Sequence, residues 1–75
     1  PLDEYYRAIA ESPAWIQRVK LADRLDNLRS IDVWPQKRQQ KYLLETKKYI
    51  LPIARQTNEW FAGKLAKECA NFSQI

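Results

Sequence analysis

The chain contains one glycine, Gly63, among its 75 residues. Antiparallel sheets are built from hairpins, whose tight turns rely on glycine or on Asn-Gly pairs, and no Asn-Gly pair occurs here. β-Branched residues are few, whereas Leu, Ala, Lys, Arg, Gln and Glu, which favour helices, are abundant. The sequence therefore predicts an all-α fold.

The first half of the chain contains two predicted helices. The first runs from Asp3 to about Glu11, where the apolar residues follow helical spacing. Serine is a favoured helix cap and proline a favoured first helical residue, so Ser12 and Pro13 mark the start of the second helix. The second helix is expected over about 13–30, because no breaker interrupts it.

The second half of the chain contains two more predicted helices. Pro35 predicts the start of the third helix, over about 35–56. Pro52 lies inside this helix and should kink it, because its ring removes an amide donor and crowds the preceding turn. Thr57 or Asn58 is expected to cap the fourth helix. The side chains of that helix expected to face inward are Trp60, Phe61, Leu65 and Cys69.

The composition excludes several classes of protein. Hydrophobic residues make up 45% of the chain, enough for a packed core and too many for a disordered chain. With no histidine and one cysteine, Cys69, the chain can form neither an internal disulfide nor a Cys-His zinc site. No apolar run approaches the ~20 residues that span a bilayer, so no membrane partner is expected. No signal peptide is visible, and the cytoplasm is the expected location.

The net charge is +4, and the basic residues are denser in one part of the third helix. Such a run is compatible with nucleic-acid binding. Because Glu45 and several glutamines are mixed with it, a solvated helix face is the favoured interpretation, and a small phosphate-rich substrate would also suit a positive domain. The basic residues of the run are Lys37, Arg38, Lys41, Lys47 and Lys48.

The second helix is apolar on two sides. Successive residues turn by about 100°, so Leu21, Leu25 and Leu28 form one stripe, while Ile16 and Val19 fall roughly opposite. A helix with two apolar sides is usually packed on both. We therefore expect this helix to need partners on both sides, residues 1–75 to supply too few of them, and the isolated chain to be only marginally stable.

Asp23 and Asn27 are four residues apart, so they stack on one face of the second helix. That face borders the second apolar stripe, where a carboxylate costs free energy unless it is paired or bound to a metal. The spacing leaves two interpretations open. Asp23 is either a functional carboxylate or a member of a surface ion pair with Lys20, Arg24 or Arg29.

The segment 19–29, which reads VKLADRLDNLR, is similar to the final motif of a known hydrolase domain. It resembles the RelA/SpoT-type branch of the HD phosphohydrolase family. The likeness continues into the next helix and covers about 15–56. The further residues that carry it are Lys37, Arg38, Tyr42, Glu45, Thr46, Tyr49 and 51–55.

The resemblance implies an all-helical HD domain that holds a divalent metal, Mn²⁺ or alternatively Mg²⁺, with a first histidine, a His-Asp pair and a later aspartate. The later aspartate falls on Asp23, and an asparagine of the nucleotide pocket falls on Asn27. Lys20, in the same motif, is a further candidate for substrate binding. Members of this branch use metal-assisted hydrolysis to remove pyrophosphate from the 3′ position of the guanine nucleotide guanosine 3′,5′-bis(diphosphate).

The chain departs from the family pattern in two places. Asp26 stands where many members have histidine, which leaves a related nucleotide open as the substrate. The first histidine and the His-Asp pair are absent, so residues 1–75 are expected to be the C-terminal portion of an HD domain. This four-helix fragment needs ligands from the missing N-terminal half and is expected to have no activity alone. The alternative is a catalytically inactive helical interaction or regulatory module derived from an HD domain.

Overall fold

The computed structural model describes residues 1–73, which form four helices and no strand. Its elements are α1 (Leu2–Ala10), α2 (Ala14–Arg29), a 3₁₀ turn (Ile31–Val33), α3 (Gln36–Glu45), a π-turn (Thr46–Ile50), α4 (Leu51–Thr57) and α5 (Glu59–Ser73). α3, the π-turn and α4 form one continuous helix, because the residues at both junctions keep right-handed helical dihedrals. The all-α prediction is confirmed, and the two central helices begin and end within one residue of the expected positions. No helix among residues 1–73 is long and apolar enough to cross a bilayer.

The start of α2 differs from the prediction. Ser12 does not cap this helix, because its Oγ donates to the carbonyl of Ala8 at 2.7 Å. Pro13 occupies the capping position with an extended ψ of 154°. Gln17 supplies the connection instead: its Nε2 donates to the carbonyls of Ala10 at 2.8 Å and Ser12 at 3.0 Å. These bonds hold the first turn of α2 against the end of α1.

The start of α5 is capped by Asn58 and not by Thr57. The Oδ1 atom of Asn58 accepts a hydrogen bond from the N–H of Phe61 at 3.1 Å, which satisfies an amide that has no partner inside the helix. Thr57 belongs to α4, and its Oγ1 donates to the carbonyl of Ile53 at 2.7 Å. One of the two residues that the sequence allowed is therefore the cap.

Pro52 is the second residue of α4, and Leu51 separates it from the π-turn. A proline inside a helix cannot donate to the carbonyl four residues earlier, and its ring crowds that turn. The expected disturbance takes the form of a π-turn, in which the N–H of Leu51 donates to the carbonyl of Thr46, five residues earlier. Thr46 and Ile50 are directed into the interior by this wider turn and are 0% and 2% exposed.

The hydrophobic core lies where α2, α4 and α5 meet, and α1 closes one side of it. Leu21 and Leu28 from α2, Ile31 from the 3₁₀ turn and Leu65 from α5 are completely buried. Cys69 is buried as well, as expected, and this burial raises the pKa of its thiol and keeps it neutral near pH 7. The remaining core side chains are Tyr6, Ile9, Leu25, Ile50, Leu51, Ile53 and Ala54.

One packing prediction, too few partners for the second side of α2, is confirmed for residues 1–73, and another, for α5, is wrong. The second apolar side of α2 is not covered: Trp15 and Val19 are 63% and 58% exposed, and Ile16 is half-buried. Trp60 is 58% exposed instead of inward-facing, while its neighbour Phe61 packs against the core. The leucine stripe of α2 and Leu65 of α5 are buried, while the other apolar side of α2 is largely uncovered in this part of the chain.

Leu21 and Val19 provide a matched test of these two sides of α2. We expect Leu21→Ala to lower the free energy of unfolding by about 2–5 kcal/mol, because it leaves a cavity in the core. Val19→Ala should change it by no more than about 0.5 kcal/mol, because Val19 is exposed. Urea unfolding followed by circular dichroism measures both. Equal losses for the two variants would contradict this assignment of the core.

Candidate functional site

Three of the polar side chains of helix α2 lie in different environments. Asp23 is exposed, Asn27 is half-buried and Arg24 is 9% exposed. Arg24 lies three residues after Leu21 and four before Leu28, so it occupies the apolar stripe that packs on the core. A guanidinium in this position loses most of its hydration and depends on partners within the protein.

The guanidinium of Arg24 contacts three other elements. Its Nη2 donates to the hydroxyl of Tyr6 in α1 at 2.6 Å, and its Nη1 donates to Oγ1 of Thr46 in the π-turn at 3.4 Å. Its Cζ lies 3.9 Å from the centroid of the Tyr42 ring in α3, a close cation–π contact. Arg24 therefore joins α2 to α1, to α3 and to the π-turn through neutral groups.

Tyr6 lies at the centre of the α1 contacts. Its hydroxyl donates to Oε2 of Glu45 over a long 3.5 Å, and its ring is stacked on that of Tyr49 with the centroids 4.6 Å apart. The hydroxyl of Tyr49 in turn donates to the carboxylate of Asp3. Burial raises the pKa of Tyr6, although the nearby Arg24 guanidinium acts in the opposite direction. The stacked tyrosines hold α1 against the π-turn.

Asn27 and Tyr42 form a second polar contact, one helical turn beyond Asp23. The Nδ2 of Asn27 donates to the Tyr42 hydroxyl at 3.1 Å, which leaves the amide oxygen of Asn27 available to other groups. Burial is the main cause that raises the pKa of Tyr42, and the negative charge of Asp23 acts in the same direction. The Tyr42 ring also packs edge-on against Trp34, with 5.0 Å between centroids.

The carboxylate of Asp23 is exposed and makes no hydrogen bond or ion pair within residues 1–73. Among these residues, Asp23 therefore does not form the surface ion pair that was one of its two interpretations. Arg24 points to Tyr6 and Thr46, and the Nζ of Lys20 lies 6.0 Å from the centroid of the Tyr5 ring. In the described part of the chain, no group of three or more His, Cys, Asp or Glu residues could hold a metal ion.

A scan against protein-family models, a search of curated proteins and a search of solved structures gave no match for this chain. The chemistry of the site is inferred from its own residues. Asp23 offers an anionic oxygen ligand to a hard cation. Asn27 offers an amide oxygen, and Lys20 and Arg24 offer positive charge beside it.

The roles predicted from the sequence for Asp23, Asn27 and Lys20 stay predictions. Lys20 and Asp23 line one cavity, and Asn27 lies one turn beyond Asp23, outside that lining. No role for Arg24 or Tyr6 was predicted from the sequence. A signal for Arg24 was available, because it falls in the register of the leucine stripe and has to be buried if that stripe is. For Tyr6 no local pattern indicates a polar role, since its partners lie 18 and 39 residues away.

Tyr6 and Tyr5 provide a matched test of the buried arginine. We expect Tyr6→Phe to lower the free energy of unfolding by about 1–3 kcal/mol, because it leaves a buried guanidinium donor unpaired. Tyr5 is half-exposed, and Tyr5→Phe should be close to neutral. Thermal or urea unfolding compares the two variants. Equal stabilities would show that the Arg24–Tyr6 hydrogen bond contributes nothing.

The raised pKa values of three tyrosines also predict a response to alkaline pH. The pKa is raised by burial in Tyr6 and Tyr42, and mainly by the hydrogen bond to Asp3 in Tyr49. A pKa raised in the folded state means that the neutral phenol stabilises the fold. This contribution is complete below the unfolded value of about 10 and is lost as the pH rises through the folded values.

We therefore expect these tyrosines to ionise at a higher pH than in a free peptide. The fold should lose stability above about pH 10. The ultraviolet absorbance of tyrosinate and the circular dichroism of the chain follow the two events. The loss should be shallower in Tyr42→Phe. A titration identical to that of the denatured chain would contradict the prediction.

Proposed function

We propose that this chain is the C-terminal part of an HD-type, metal-dependent phosphohydrolase that acts on a guanine nucleotide. The substrate we propose is guanosine 3′,5′-bis(diphosphate), which loses its 3′-pyrophosphate. The proposal rests on the resemblance of segment 19–29 to the RelA/SpoT-type motif. In this proposal Asp23 binds the metal, and Asn27 and Lys20 bind the substrate.

The observation that carries the proposal is the setting of Asp23. Its carboxylate is exposed and unpaired within residues 1–73, and it lies on successive turns of α2 with the exposed Trp15 and Val19. An anionic oxygen on a helix, close to uncovered apolar surface, is suited to a site that is completed by other protein groups. A simple surface ion pair would instead have used one of the neighbouring lysines or arginines.

Residues 1–73 do not by themselves fit a metal ion. Asp23 is one ligand, and no cluster of three candidate ligands exists in the described part of the chain. A catalytic ion requires several ligands, so the histidines and the second aspartate of such a site would come from outside this chain. A carboxylate oxygen suits Mn²⁺ or Mg²⁺ better than a softer metal.

Asn27 and Lys20 are suited to bind a nucleotide beside such a site. Asn27 is held by its donation to Tyr42, so its amide oxygen is fixed and available to a donor of the substrate. Lys20 is exposed one turn before Asp23 and carries a mobile positive charge that suits a phosphate. Both lie on a helix, which positions functional groups better than a loop does.

The decisive experiment uses the full-length parent protein. We expect Asp23→Ala to abolish hydrolysis of guanosine 3′,5′-bis(diphosphate) assayed with Mn²⁺, because a metal ligand is removed. Asp32→Ala is the matched control, since Asp32 is an exposed aspartate in the 3₁₀ turn, and it should retain activity. Full activity of Asp23→Ala would refute the metal-ligand role.

Asn27→Ala separates the substrate role from the metal role. We expect slower turnover in the parent protein, with Mn²⁺ binding unchanged, because the amide contacts the nucleotide and not the metal. The 75-residue chain alone should show no hydrolysis. A parent without hydrolase activity towards any nucleotide would favour the alternative, a helical interaction or regulatory module derived from an HD domain.

A further inference from the structure

A small cavity lies between α1 and α2, beside the buried arginine. Its volume is about 90 Å³, and its polar lining consists of Tyr5, Tyr6, Lys20, Asp23 and Arg24. A cavity of about 15 Å³ is already large enough to hold one water molecule. The cavity therefore has room for several waters or for one small tetrahedral anion.

The charge of Arg24 is not balanced by an acid in direct contact. Its side-chain hydrogen bonds go to the neutral hydroxyls of Tyr6 and Thr46, and no ion pair reaches it within residues 1–73. The nearest acidic link is indirect: Glu45 accepts from Tyr6 over 3.5 Å. A buried guanidinium is normally paired with a carboxylate or with a bound anion. The cavity is therefore next to a positive charge that neutral groups compensate only in part.

Lys20 adds a second positive charge at the mouth of the same cavity. It is exposed, and its Nζ lies 6.0 Å from the centroid of the Tyr5 ring, so it can reach a ligand without disturbing the core. Asp23 contributes one negative charge to the lining. Two cations and one carboxylate give the lining a net charge of +1, around a cavity large enough for a small anion.

We propose that this cavity binds a tetrahedral oxyanion, phosphate or a phosphoryl group, through Arg24 and Lys20. Arg24 provides a planar set of N–H donors from the buried side, and Lys20 provides a mobile point charge from the mouth. The identification of this oxyanion with a phosphate of the substrate rests on the proposed function, whereas the binding of phosphate itself does not.

The test is a titration of the ¹⁵N-labelled 75-residue chain with inorganic phosphate, with chloride reduced to hold the ionic strength constant. We expect a saturable shift of the Arg24 Nε–H resonance. Lys20→Gln should weaken binding by about two- to fivefold, the effect of one charge–charge contact at a surface. Lys67→Gln, which removes an exposed lysine from α5, is the matched control and should leave the affinity unchanged.

Asp23→Asn gives an outcome with the opposite sign. Without metal, removal of this negative charge from the lining should tighten phosphate binding by about two- to fivefold. The absence of a saturable shift, or equal effects of Lys20→Gln and Lys67→Gln, would overturn the proposal. All of these residues are exposed, so the variants are expected to keep the fold, and a circular dichroism spectrum checks this.

Adding Mn²⁺ separates this inference from the proposed function. If Asp23 also binds metal, Mn²⁺ should tighten phosphate binding in the wild-type chain more than in Asp23→Asn. Phosphate binding that depends on Lys20, in a chain whose parent hydrolyses no nucleotide, would leave the anion site standing and remove the proposed function. If instead the parent hydrolyses the nucleotide and Lys20→Gln does not affect phosphate binding to this chain, the proposed function stands and the anion site is overturned.

Discussion

The arrangement of the first three helices depends on the contacts that the guanidinium of Arg24 makes with them. Burial of a charged group costs several kcal/mol even after the protein relaxes, so this position is tolerable only when partners surround it. Tyr6, Thr46 and Tyr42 supply those partners from three different elements. Because each is neutral, the charge is accommodated by dipoles and by an aromatic face.

The π-turn makes this arrangement possible. A helix that ran through Pro52 without adjustment would place the proline ring against the preceding turn. The wider turn resolves that conflict, and the residues within it form the contacts of the interior. Thr46 faces Arg24, and Tyr49 stacks on Tyr6. A single proline thus determines where α1 can dock, although it makes none of those contacts itself.

Helix α2 connects the core to the candidate site. Its leucine stripe is buried, whereas Trp15 and Val19 on another side are uncovered within residues 1–73. Asp23 and Lys20 lie between these two environments, exposed but fixed by the packing of the helix that carries them. A rigid helix with one buried side and one open side is suited to present ligands to a substrate or to further protein. This is the physical basis on which we propose that the site belongs to a larger phosphohydrolase.

Four features could be predicted from the sequence: the all-α fold, the two central helices to within one residue, the leucine stripe and the shared face of Asp23 and Asn27. These features follow from glycine content, proline positions and helical spacing, all of which act over a few residues. The sequence did not determine that Gln17 rather than Ser12 secures the start of α2, that Trp60 is exposed, or that Arg24 is buried against Tyr6, 18 residues away. These points follow from tertiary contacts, because each depends on which distant element packs against the residue. Local periodicity carries no information about such packing.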